Sequence, residues 1–257
     1  MPIPYLSNIA TLRLGSLFKV FSKPEMVPVR LFAPARLGQI QTAVHLVPEL
    51  SVDKAEAYRA EIAKSAALGA LNEAMMAVRG RPFRWKPWTE FVYILIRHLR
   101  PTAMVETGVF DGHATAIELE AFRHNGSGLL ISIDLPARTT IMGSTSKMDD
   151  TMLPPGRDPG WLIPDSLKSQ HRLLLGDSAV MLPAVFTEFP EIDIFMHDSL
   201  HTYDHMMMEY QTAWPHLRGG GLLLSDDTFW SAAFYQFSKK VHRPYMMTSH
   251  DFGAIRK

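Results

Sequence analysis

Three carboxylates close three successive apolar runs in the second half of this chain. Glu106 lies in Val105-Glu-Thr-Gly-Val-Phe-Asp-Gly-His-Ala-Thr115, Asp134 near the end of Gly128–Leu135, and Asp177 directly after His171–Gly176. Gly108 and Gly112 permit a tight strand-to-helix turn and a close approach of ligand to backbone. Asp134 stands 26 residues after Gly108, where an acid can accept hydrogen bonds from both hydroxyls of a ribose. Asp177 could meet an adenine amino group. Each acid alone could cap a helix, but three at successive strand ends point to a cofactor containing a nucleoside. Phe110 occupies the second glycine position of a G-x-G-x-x-G turn. A diphosphate needs bare backbone there, which counts against NAD.

A second set of polar residues follows. Asp198 comes after the apolar run Ile192–His197, and Asp226 and Asp227 come after Gly221–Ser225. Adjacent strand ends would bring these three carboxylates together, and hard divalent cations such as magnesium favour oxygen ligands of this type. The competing reading makes Asp226 and Asp227 caps of the next helix. His201, three residues after Asp198, can accept a hydroxyl proton near its unperturbed pKa. His197, Tyr203, Asp204 and His205 crowd the same stretch, so a His201/His205 metal pair, or a plain helix-start role for His201, also stays open. Met206, Met207 and Met208 are consecutive, cannot share one helix face, and read as ordinary packing.

The elements that must hold these residues alternate. Strands are expected at Ala103–Thr107, Gly128–Leu135, His171–Gly176, Ile192–His197 and Gly221–Ser225, with short ones around Tyr245–Thr248 and Gly253–Arg256. Helices are expected near His113–His124, Ala179–Phe189, Tyr203–Leu217 and Ser231–Lys240. Apolar strands alternating with helices imply an α/β fold: a doubly wound, mostly parallel, seven-stranded Rossmann-like sheet with helices on both faces. Ligands of such sheets bind beyond the carboxyl ends of the strands. Upstream, residues 52–79 are rich in Ala, Glu, Leu and Lys and predict one or two helices. Thr89–Leu99 predicts another, stopped by Pro101. Residues 22–50, with Pro24, Pro28, Pro34 and Pro48, read as irregular connection. The polar stretch Pro136–Gln170 interrupts the alternation and reads either as a lid or as a floppy insertion. The expected division is an N-terminal, partly helical extension over 1–87 and a cofactor-binding domain over 88–257.

Glu106-Thr-Gly-Val-Phe-Asp-Gly-His, Ser132-Ile-Asp134 and Gly176-Asp177 resemble the successive cofactor motifs of class I S-adenosylmethionine-dependent methyltransferases. The E-x-G-x-aromatic-x-G form is similar to catechol O-methyltransferase and its relatives. Asp193-Ile-Phe-Met-His-Asp-Ser-Leu-His201 and Trp214-Pro-His-Leu-Arg-Gly-Gly-Gly-Leu-Leu-Leu-Ser-Asp-Asp227 resemble small-molecule O-methyltransferases of natural-product and sugar-modifying type. The resemblance covers about Trp88 to Lys257. It implies that Glu106, Gly108, Phe110 and Gly112 line the methionine and ribose part of S-adenosylmethionine, that Asp134 takes the ribose hydroxyls, and that Asp177 sits near adenine. It also implies that Asp198, Asp226 and Asp227 hold a metal against the acceptor hydroxyl, with His201 where the catechol enzymes have a lysine. The chain departs from that pattern at Ala114, where a serine is usual and Thr115 could substitute, and at Asp227, where the catechol enzymes have asparagine.

Composition narrows the partners. The 257 residues carry 26 Lys+Arg against 26 Asp+Glu, without the basic excess of a protein that neutralises many phosphates, so no nucleic-acid partner is expected. With no cysteine, disulfides, Cys-ligated zinc and thiol nucleophiles are excluded. No apolar run approaches the ~18–20 residues of a membrane-spanning helix, and the cytoplasm is the expected location. Residues 1–36 hold Arg13, Lys19, Lys23, Arg30 and Arg36 against Glu25, with Leu6, Ile9, Leu12, Leu14, Leu17, Phe18 and Phe21 at roughly helical spacing. This segment reads as a helix packed on its own domain or across a homo-oligomer contact, or as a surface helix touching a membrane. The expected reaction is methylation of a small-molecule hydroxyl. The alternatives are an NAD-dependent oxidoreductase and a non-catalytic cofactor-binding protein.

Overall fold

The computed structural model describes residues 24–26, 33–82, 86–136, 152–248 and 251–257. Most of the basic, apolar N-terminal segment, and residues 137–151 of the long polar stretch, lie outside the described residues. Helices α1 (Gln39–Leu46), α2 (Val52–Ile62), α3 (Ala66–Arg79) and α4 (Trp88–Leu99) lead into the alternating part. Ser51 and Ser65 cap α2 and α3 by accepting the backbone N–H of Lys54 and Leu68, satisfying donors a helix start leaves free. Gly80, at φ 66°, ends α3 in the left-handed region that glycine enters without penalty.

The sheet contains β1 (Arg36–Leu37), β2 (Ala103–Thr107), β3 (Leu129–Asp134), β4 (His171–Leu175), β5 (Ile192–His197), β6 (Leu217–Ser225), β7 (Tyr245–Thr248) and β8 (Gly253–Arg256). Its spatial order is β1-β7-β8-β6-β5-β2-β3-β4, and β8 alone runs antiparallel to its neighbours. Helices α5 (His113–Asn125), α6 (Ser178–Glu188), α7 (Tyr203–Ala213) and α8 (Ala233–Lys240) make the crossovers. Two expectations are corrected. The sheet has eight strands rather than seven, because Arg36–Leu37 pairs with Met247–Thr248. The stretch read as irregular also contains α1, which sits between Pro34 and Pro48 and so meets neither ring.

Side chains alternate across the sheet, and each face has its own core. Met104, Leu130, Ile194, Met196, Leu222 and Leu224 pack under α1, α3, α4 and α5. Val105, Ile131, Ile133, Phe195 and Leu223 pack against α6, α7 and α8. In α4, Phe91 through Ile96 are all fully buried, so this helix is central rather than peripheral. Each such side chain contributes about 1.5–3 kcal/mol on leaving water. Among the described residues, no helix is long and apolar enough to cross a membrane.

The chain runs β2, β3, β4 to one side and returns to β5 and β6 on the other. The switch therefore falls between β2 and β5, where such sheets form their ligand crevice.

Candidate active site

Backbone bonds carry the ladder past the strand ends and set their order. Gly176 N–H donates to Asp134, Gly108 to Ile133, Asp198 to Thr107 and Asp226 to His197, all at 2.8–2.9 Å. Asp177, Asp134, the glycine turn, Asp198 and Asp226 therefore follow one another across a single rim.

The turn after β2 has positive φ at Gly108 (88°), Phe110 (52°) and Gly112 (92°). Asp134 holds it: Oδ2 accepts Val109 N–H at 2.9 Å and Phe110 N–H at 2.7 Å, and Oδ1 accepts Leu135 N–H at 2.7 Å. This is a use of Asp134 additional to the one expected. A Cβ on Gly112 would fall 2.7 Å from Gly160 Cα, so this glycine admits a neighbouring chain segment. Asp111, in the same turn, is almost fully buried. It takes both Nε and Nη2 of Arg79 at 2.8 and 2.6 Å, and Nε1–H of Trp161 at 2.7 Å. The Arg79 guanidinium also lies 5.1 Å from the Phe110 ring centre. Helix α3 thus clamps the turn from outside the alternating part.

Glu106 faces inward, with no exposed surface. Ser132 Oγ donates to it at 2.5 Å, and Glu118 of α5, equally buried, lies against it. Burial pushes both carboxyl groups up, and their mutual repulsion adds to the shift of Glu118. Thr115 is also fully buried on the Glu106 side. Asp177 is exposed and caps α6 through Oδ1, which accepts Ala179 N–H at 2.9 Å. Leu135 and Leu175, exposed at 42% and 40%, flank this end of the rim.

Across the switch, Asp198, Asp226, Asp227 and His201 do come together. They do not form the expected carboxylate cage. Lys86, just ahead of α4, places Nζ 3.2 Å from Asp198 Oδ2 and 3.1 Å from Asp226 Oδ2. Asp227, at φ 49°, turns its Oδ2 toward His201 Nε2 at 3.9 Å. Among the described residues no group of three or more His, Asp or Glu side chains could hold a metal ion. The residues as arranged do not fit a divalent cation, because an ammonium group fills the space between two of the proposed ligands. The capping alternative also fails, since α8 begins at Ala233 behind Ala232.

His201 Nε2 sits between Asp198 Oδ1 (3.8 Å) and Asp227 Oδ2 (3.9 Å). Burial, reinforced by His197, brings its pKa down to about 4, so the ring is neutral at pH 7. The unperturbed value near 6.5 expected from sequence does not include that burial. His205 makes no pair with His201; its Nε2 meets Glu209 Oε1 at 2.9 Å. Glu209 is fully buried and also accepts Thr107 Oγ1 (2.6 Å), Ser199 Oγ (2.9 Å) and His197 Nδ1 (2.6 Å). These bonds outweigh burial and hold its pKa well below the usual range. The His197 ring stands edge-on to His201, with centres 5.2 Å apart. Met206 is buried in the core and Met207 packs against it.

Arg79, Lys86, Asp111, Glu118 and Glu209 carry no role in the sequence reading. The four-residue spacing of His205 and Glu209 is the one local signal among them. Of the stretch 136–170, the described part 152–170 packs on the glycine turn and on α3. Gly160 N–H donates to Phe110 and Leu162 N–H to Asp111, Arg79 bonds the Met152 carbonyl, and Leu162, Ile163 and Leu167 are buried.

Residues 105–228 match the sequence family described as Methyltransferase domain. The fold is that of an O-methyltransferase from Bacillus cereus in complex with S-adenosylhomocysteine, at 12% identity and TM-score 0.52, covering 79% of this chain and 100% of that one. A calicheamicin methyltransferase matches at 17% identity and TM-score 0.51, over 85% and 91% of the two chains. A methyltransferase from Geobacter sulfurreducens matches at 16% and 0.51, over 75% and 89%. Among curated proteins no sequence matches the chain. The chain therefore shares the fold of these methyltransferases, and the stretch that matches the methyltransferase-domain model is the one whose motifs carry the resemblance.

Proposed function

We propose that the chain transfers a methyl group from S-adenosylmethionine to a hydroxyl oxygen of a small molecule, with His201 taking the hydroxyl proton. The observation that supports this most is the contact between the two halves of the rim. The Gly108 turn and the Asp198 loop are packed backbone to backbone, so a donor on one and an acceptor on the other would be neighbours, as proximity catalysis requires. When bound, S-adenosylmethionine supplies a methyl carbon already activated on a sulfonium sulfur. Gly108, Phe110 and Gly112 would offer it backbone, Asp134 its ribose partner, and Asp177 an adenine partner between Leu135 and Leu175. Glu106 would support the turn from beneath.

Proton-transfer arithmetic favours one kind of acceptor. Moving a proton from a phenol of pKa about 10 to a base of pKa about 4 costs about 8 kcal/mol, at 1.36 kcal/mol per unit. From a hydroxyl as weakly acidic as water, near 15.7, the cost is about 16 kcal/mol. His201 suits an acidic, phenol-like hydroxyl of natural-product type better than a sugar alcohol. Trp230, 60% exposed with its ring centre 6.2 Å from that of His201, offers a planar acceptor a surface. Residues 1–50 are proposed as a homo-oligomer contact.

The test is calorimetry with S-adenosylhomocysteine and NAD, followed by labelled-methyl transfer to matched phenols and alcohols. Binding of the first ligand and faster labelling of phenols are expected. Binding of NAD alone would overturn the proposal. His201→Ala should lower turnover roughly 10²–10⁴-fold with cofactor affinity unchanged.

A further inference from the structure

A buried carboxylate, Asp226, beside a largely buried one, Asp198, favours a counter-charge, and this molecule carries one of its own. Lys86 Nζ lies within hydrogen-bond distance of both Asp198 Oδ2 and Asp226 Oδ2, and 5.1 Å from the Trp88 ring centre. Burial alone would lower its pKa, but the two carboxylates outweigh burial and raise it, keeping the ammonium charged. The carboxylates are firmly placed. Asp226 N–H is bonded to His197 and Asp198 N–H to Thr107, so both backbones are fixed to the sheet. A divalent cation would need their oxygens at about 2.0–2.6 Å, in the space the ammonium takes.

We propose that Lys86 is the resident cation of this cleft, closing the Asp198–Asp226 seat to divalent metals and serving the acceptor oxygen in their place. An ammonium has three N–H donors and no acceptor. Two point at Asp198 and Asp226, and among the described residues the third meets no acceptor. That third donor is placed to hydrogen bond an oxygen losing its proton to His201. The service to the acceptor rests on the methyl-transfer reading above; the exclusion of metal does not.

The test titrates manganese(II) alone into the full chain and follows free ion by electron paramagnetic resonance. Wild type should leave the ion free into the millimolar range. Lys86→Met, which keeps the stem and removes the charge, should bind one ion at least tenfold more tightly, and Lys86→Met with Asp226→Asn should lose that gain. Stoichiometric binding by wild type that Asp226→Asn abolishes would overturn the proposal. So would a Lys86→Met protein with native circular dichroism and no gain. If Lys86→Met does not fold, the comparison of wild type with Asp226→Asn still decides. Failure of the methyl-transfer reading would show separately, as absent S-adenosylhomocysteine binding, with the manganese result unaffected.

Discussion

Gly108 lies directly against the backbone carbonyl of Asp198: a Cβ built on the glycine would fall 2.1 Å from that oxygen. Its φ of 88° adds a second reason for glycine. Gly108→Ala should therefore separate the cofactor turn from the acceptor loop. We expect a stability loss of about 3 kcal/mol, at the upper end for point mutants, and no measurable S-adenosylhomocysteine binding. Urea unfolding and calorimetry check both, and native affinity in the variant would refute the contact.

The Arg79–Asp111 pair is bidentate and nearly buried, with side chains 10% and 3% exposed. Removing one partner of such a pair costs about 3–5 kcal/mol. Arg79→Met should lose about this much and loosen the turn at Phe110, weakening cofactor binding from a helix far from the cofactor motifs in sequence. A loss below 1 kcal/mol would show that the clamp is incidental.

His201, with its pKa depressed to about 4, stays unprotonated down to that pH. A histidine of ordinary pKa would switch off below about 6.5. The rate of methyl transfer should hold from pH 8 to pH 5 and fall only nearer pH 4, provided circular dichroism shows the chain still folded. An acid limb near 6.5 would mean that the proton acceptor is a more exposed group.

The buried Glu106–Glu118 pair predicts an opposite trend in stability. Both folded pKa values are raised, so the stability these groups contribute is fully present below their unfolded value near 4.5. It is lost as pH rises toward the folded values. Glu118→Gln should raise stability at pH 8 and give a shrinking gain at pH 5, measured by urea midpoints. A uniform loss at both pH values would show the charge pair to be absent.

The parts of this fold legible in the sequence are those governed by local pattern. β2, β5, β7 and β8 run where apolar residues cluster between turns, and the acids at their ends mark the rim. β1 is two residues long and has no period to read. α1 was hidden because its flanking prolines look like a broken stretch, though both fall outside the helix. The clamping cations were out of reach for another reason. Arg79 finds Asp111 across 32 residues and Lys86 finds Asp226 across 140, and no spacing rule connects residues that only tertiary packing brings together. The same holds for the metal reading: three acids in sequence imply a cation, but not which one.

β1 ties the beginning of the described chain to its end. Arg36–Leu37 pairs with Met247–Thr248, Arg36 makes an ion pair with Asp251, and Arg256 reaches the Leu46 carbonyl. About 210 residues separate the paired strands. At roughly 5–20 residues per second on the ribosome, β1 waits about 10–40 s for its partner. A nascent chain interrupted before Tyr245 would also leave the long strand β6 with a bare edge, the kind of template that recruits other chains. Emergence of β7 and β8 is thus itself a folding step here, and a chain stopped before Tyr245 should aggregate rather than fold as a shortened domain.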